Sequence, residues 1–99
     1  MTLTKTTEGT TLNIQIDGRL DTTTAPQLEK ELSESMEGME KVCLDFAKLE
    51  YISSAGLRVL LGTQKKMNRQ HGELIIRNAS DTVKEVFEIT GFVDILTIE

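Results

Sequence analysis

The sequence predicts an α/β domain built on a mixed, mostly parallel sheet of about five strands, with elements in the order β-β-α-β-α-β-α-β. Three observations carry this. Alternation over residues 11–17 sets Leu12, Ile14 and Ile16 on one face and Asn13, Gln15 and Asp17 on the other, as in a strand with one side buried. Ala25, Leu28, Leu32 and Met36 recur at helical spacing. Segments of these two kinds then alternate to the end of the chain, which implies parallel strands joined by right-handed crossovers.

Residues 2–7 carry Thr and Leu and read as a weak first strand, joined through the turn signal Glu8-Gly9 to the alternating strand as a hairpin. Asp17-Gly18-Arg19-Leu20-Asp21 reads as a loop. The first helix is entered through Thr23 or Thr24. Pro26 is tolerated in its first turn, where the missing N–H would have no partner, and Gly38 is the expected stop. Val42-Cys43-Leu44-Asp45-Phe46 is the next strand. It runs through a loop, residues 47–54, into a second helix with Leu57, Leu60, Leu61 and Met67 inward, ending within residues 68–72. Leu74-Ile75-Ile76 is a continuous apolar run, the pattern of a strand covered on both faces. Ser80 or Asp81 starts a third helix with Val83, Val86 and Phe87 inward. Gly91 ends it, and Phe92 packs back on it. Residues 95–98 read as the last strand.

The 99 residues form one domain, residues 1–99, large enough for a single core. Its few aromatic residues are Phe46, Tyr51, Phe87 and Phe92, so the core falls to Leu, Ile, Val and Met. A net charge of −5 opposes nonspecific nucleic-acid binding, which needs a basic stripe, and opposes attachment to anionic membranes. No apolar segment has transmembrane length, and the N-terminus lacks the apolar stretch of a signal peptide. The lone Cys43 cannot form an internal disulfide and is read as a small buried hydrophobe. These features lead to the expectation of a cytoplasmic protein.

Chemistry concentrates in Leu49-Glu50-Tyr51-Ile52-Ser53-Ser54-Ala55-Gly56-Leu57, where a strand and loop open into a helix. A helix start offers unpaired N–H groups and positive potential, so a serine there suits capping, anion binding or phosphorylation. Ser54 is read as the simplest cap, with Ser53 as the alternative. Ala55 and Gly56 leave the helix start sterically bare, which suits close approach by a partner or a phosphate. On composition, a cap and a site both stay open.

The run from Phe46 to Leu61 resembles the signature of the STAS domain, found in anti-sigma factor antagonists and in the tails of sulfate transporters. The matching residues are Asp45-Phe46, Leu49, Ile52, Ser53-Ser54, Gly56-Leu57 and Leu60-Leu61, with Gly18-Arg19-Leu20-Asp21 before the first helix and Phe87, Thr90, Gly91 and Phe92 near the end. As a lone small domain, the chain resembles the free bacterial antagonists. The resemblance implies no cofactor and two partners, an anti-sigma factor with serine kinase activity and a phosphatase. The unmodified form would bind the anti-sigma factor and release its sigma factor; the phosphorylated form would let go. Ser54 matches the family's acceptor. The family usually has Asp immediately before that serine; this chain has Ser53, which is itself an alternative acceptor. Asp21, Ser53, Ser54, Ala55 and Gly56 are the partner-binding positions the resemblance implies.

Two other readings compete. One is a STAS module of another assembly, a lipid-transport or stress-signalling complex, with no phosphorylation. The other is a serine hydrolase. The Gly-x-Ser-x-Gly spacing of a nucleophile elbow is absent. The only histidine, His71, lies roughly 25 Å from Ser54 if the second helix is continuous. No phosphate-binding glycine loop or metal-ligand cluster is present in the sequence, and Asp21 and Asp45 read as loop and strand-end residues.

Overall fold

The computed structural model describes residues 1–99. Strand β1 (Thr2–Glu8) pairs antiparallel with β2 (Thr11–Leu20). Helix α1 (Ala25–Ser35), β3 (Lys41–Ile52), α2 (Ser54–Arg69), β4 (Glu73–Arg77), α3 (Asp81–Thr90), a short 3-10 helix (Phe92–Asp94) and β5 (Thr97–Ile98) follow. The sheet order is β1-β2-β3-β4-β5, and every pair after the first is parallel.

This sequential order fixes where the helices go. Each crossover steps one strand in the same direction, so crossovers of one hand set every helix on the same face. One core of 23 buried residues accordingly joins Leu28 and Leu32 of α1, Leu57, Leu60 and Met67 of α2, and Val83 and Phe87 of α3 to the inward strand residues. Leu12, Ile14, Val42, Leu44, Phe46, Leu74 and Ile76 belong to that core. Cys43 and Ile75 are buried but stand outside it, on the other face of the sheet. The predicted two-sided cover of β4 is therefore corrected. Helices cover one face only, and Ile75 is shielded among the side chains of the sheet, with Cys43 and Thr97 as its register neighbours.

Four boundaries also differ from expectation. The segments predicted as loops at residues 17–21 and 47–54 are largely strand. β2 runs to Leu20 and β3 to Ile52, pairing as Asp17↔Lys48, Arg19↔Tyr51 and Leu20↔Ile52. Irregularities in register between Gln15 and Asp17 and between Gly18 and Arg19 break the period-two pattern. Gly18 has φ +112°, and β3 buries Phe46, Leu49 and Ile52 at intervals of three. Helix α1 stops at Ser35, with Met36 as its C-cap, before reaching Gly38. The last strand shrinks to Thr97–Ile98, because residues 92–94 form the 3-10 turn that folds Phe92 back against the core. The end of α3 follows expectation. Ser80 accepts a hydrogen bond from the Val83 N–H, and Gly91 closes the helix at φ +79°.

Candidate functional site

The ribbon made by the ends of β2 and β3 carries the serine pair. Ser53 N–H donates to Leu20 C=O at 2.9 Å, locking the end of β3 to the end of β2. The first helical bond of α2 runs from Leu57 N–H to Ser53 C=O. The N-cap is thus Ser53, with extended φ/ψ of −101° and 176°, and Ser54 is the first helical residue. The expectation that Ser54 caps the helix is corrected by one position. The Ser53 hydroxyl makes no cap bond either: its Oγ is buried with no hydrogen-bond partner. Ser54 is exposed and Ala55 half-buried. The N–H groups of Ser54, Ala55 and Gly56 precede the first helical bond and face the helix end.

Gly56 has a different role from the one its position suggests. It is buried, and a Cβ built there would lie 2.8 Å from Leu20 Cγ and 2.9 Å from Ile52 Cγ1. The glycine lets α2 approach the ribbon closely. It does not bare the helix start to a visitor.

Asp21 sits where β2 turns into α1. Its Oδ1 accepts hydrogen bonds from the N–H groups of Thr23 (3.0 Å) and Thr24 (3.1 Å) and from the Thr23 hydroxyl (2.8 Å). Thr24 Oγ1 donates to Arg19 C=O and accepts from Asp21 N–H. The carboxyl is held below the usual carboxylate range, chiefly by the Thr23 hydroxyl, with burial opposing and the Thr24 and Thr23 N–H groups adding to the effect. One oxygen is committed to shaping the loop; the other, Oδ2, stands 3.9 Å from Arg19 Nε. Asp45, expected at a strand end, lies inside the longer β3, where its Oδ1 accepts hydrogen bonds from Ala47 N–H and Asn78 Nδ2.

Three residues absent from the expected site stand beside it. The Arg19 guanidinium lies 4.4 Å from the centre of the Tyr51 ring, and Tyr51 is 39% exposed. Register pairs them across the ribbon, a relation hidden while both segments read as loops. Arg58, four residues after Ser54, lines a cleft of about 220 Å³ between α1 and α2 with Thr22, Ala25, Pro26, Glu29, Ala55 and Val59. The i, i+4 spacing of Ser54 and Arg58 was legible as a shared helix face.

His71 lies beyond the last residue of α2, Arg69, at φ +59°, so a full-length helix separates it from Ser54. The strand order never reverses, so the sheet lacks the crevice that a topological switch point gives other open α/β folds. No helix is long and apolar enough to cross a membrane.

Comparison with known proteins adds the following. The family model described as the STAS domain matches residues 2–99. BtrV of Bordetella bronchiseptica, named as a candidate anti-sigma factor antagonist, is 42% identical over 84 residues, covering 84% of this chain and 72% of that protein. The anti-sigma-B factor antagonist of Staphylococcus aureus is 32% identical over 94 residues, covering 94% and 87%. Among solved structures, the anti-sigma factor antagonist SpoIIAA in its unphosphorylated form superposes with a TM-score of 0.79 at 20% identity, covering 99% and 87%. The phosphorylated form of SpoIIAA, a Bacillus cell fate determinant, gives 0.78 at 21% identity, covering 99% and 91%. At that identity the structural likeness concerns the fold.

Proposed function

The chain belongs to the STAS domain family, and from that premise we propose that it is an anti-sigma factor antagonist switched by phosphorylation of Ser54. In this reading the unmodified end of the molecule, the ribbon with Ser54, Ala55 and the Asp21 loop, docks an anti-sigma factor that is also a serine kinase, and its sigma factor is freed. The kinase then transfers a phosphoryl group. Ser54 Oγ bonds to the γ-phosphorus of ATP, ADP leaves, and the hydroxyl proton passes to a base on the kinase. A phosphatase reverses the change by hydrolysis.

One observation carries the choice of residue. Ser54 is exposed on the first turn of α2, while the Ser53 Oγ is buried behind it. An acceptor must meet the kinase's ATP, so only Ser54 is available without unfolding the ribbon. Phosphate brings a charge of about −1.5 to −2, which the N-terminus of a helix tolerates. The domain therefore stays folded, while the docking surface acquires charge that is costly to desolvate at an interface. The names of the two relatives support the anti-sigma factor antagonist part of this reading.

Incubation with the partner kinase and ATP, followed by peptide mass spectrometry, tests the proposal. One phosphate on Ser54 is expected. Modification confined to Ser53 would overturn the site. No phosphate, under conditions in which the kinase modifies another antagonist, would favour a STAS module of another assembly.

A further inference from the structure

Ser54 and Arg58 lie one helical turn apart on the same face of α2. Helical side chains lean toward the N-terminus, which puts the turn that Ser54 begins within reach of the Arg58 guanidinium. Arg58 is exposed and its charge is uncommitted, since the ion pairs of the molecule are Lys5–Glu31, Arg19–Asp21 and Arg77–Glu99. Arg19, the cation on the neighbouring ribbon, is held by the Tyr51 ring and Asp21. Arg58 also shares the wall of the α1–α2 cleft with Ala55, Thr22 and Glu29.

We infer that Arg58 is the intramolecular ligand of a phosphate on Ser54, drawing it toward the mouth of the α1–α2 cleft. This rests on Ser54 being the modified residue. The planar fork of a guanidinium offers paired N–H donors to two phosphate oxygens, a match that lysine's point charge lacks. Glu29, on the α1 wall of the same cleft, repels the phosphate and keeps it on the α2 side. The other charged groups on the ribbon and its loop are Arg19 and Asp21, already paired with each other, Asp17, Lys48 and Glu50, with the Met1 ammonium beside Gly18. Clamped in this way, the phosphate covers part of the docking surface as well as recharging it.

The test uses the full chain with phosphoserine installed at position 54 during translation, so that it does not depend on any kinase. Phosphorus NMR follows the second ionisation of the phosphate against pH in this protein, in Arg58→Gln, in Arg58→Lys and in the urea-denatured chain. Arg58 is exposed, so neither variant threatens the core. An exposed charge pair predicts that Arg58→Gln raises the midpoint by about 0.2–0.7 pH unit, with Arg58→Lys falling between. A midpoint that Arg58→Gln leaves unmoved, or one equal to that of the denatured chain, overturns the inference. The two failures are separable. A kinase that modifies Ser54 together with an unmoved midpoint sinks the clamp alone; a kinase that ignores Ser54 sinks the switch and leaves the titration unchanged.

Discussion

Two adjacent serines meet opposite surroundings, and the difference is one of direction. Ser53 ends a strand and turns its hydroxyl inward; Ser54 begins a helix and turns its hydroxyl out. Loss of an N-cap usually costs about 0.5–2 kcal/mol. The unpartnered Ser53 Oγ makes no such bond and is buried at a cost, so Ser53→Ala is expected to leave the urea midpoint unchanged or raise it, and a lowered midpoint would show that the hydroxyl does cap the helix. Ser54→Asp is expected to weaken binding of the anti-sigma partner in calorimetric titration, and Ser54→Ala to retain it. The aspartate effect should be partial, because a carboxylate carries less charge than phosphate. Equal binding by all three proteins would remove Ser54 from the interface. Asp21 supplies a pH prediction. Its carboxyl pKa is lower in the folded chain than its ordinary value of 3.8, so the unfolded chain binds more protons in this range. The contribution is therefore complete above the ordinary carboxylate range and fades as pH falls through the lowered value. The gap in urea midpoint between the native protein and Asp21→Asn should be widest at neutral pH and close as pH falls through the lowered carboxyl range.

At the scale of an element, α2 shows what a glycine is for by carrying two of them. Gly56 faces Leu20 and Ile52 too closely to accept a Cβ, whereas nothing lies within 4 Å of a Cβ built on Gly62. Alanine improves helix propensity by about 1 kcal/mol at either position. At Gly56 that gain meets an overpacking cost of about 1–3 kcal/mol. Gly56→Ala should thus lower the urea midpoint, and Gly62→Ala should raise it; a rise in both would mean that the ribbon yields freely. Leu60, fully buried on the same helix, should cost about 2–5 kcal/mol on truncation to alanine. Arg58 is exposed on this helix, as its polar place in the pattern predicts, and Leu61 is only partly buried. The helical stripe was legible because α2 is regular over sixteen residues. The ribbon was not legible. Its irregular register spaces the buried residues of β3 in threes, and a reader looking for alternation finds a loop.

Across the whole molecule a single core links all three helices to the sheet and extends into the ribbon through Leu20, Leu49 and Ile52. Unfolding should therefore be one cooperative step. Far-UV circular dichroism and the fluorescence of Tyr51, which sits on the ribbon, should give the same urea midpoint; an earlier tyrosine transition would make the ribbon a separate unit. The order of elements, most inward residues of the helices (not Leu61, which stands outside the core, nor Val59 and Thr63, which are buried unforeseen) and the serine pair at a strand–helix junction were written locally, in periodicity and in residues such as Pro26 and Gly91 that punctuate a chain. These depend on neighbours a few positions away, so the sequence by itself determined them, and with them the STAS resemblance that the family match bears out. Tertiary structure decided which face of the sheet the helices cover, that Gly56 belongs to the core, that Asp21 shapes its own loop, and which serine hydroxyl meets solvent. Each of these depends on what strand pairing and helix packing bring up against a residue from far along the chain. Leu20 meets Gly56, and Arg19 meets Tyr51, only because β2 and β3 run side by side to their ends.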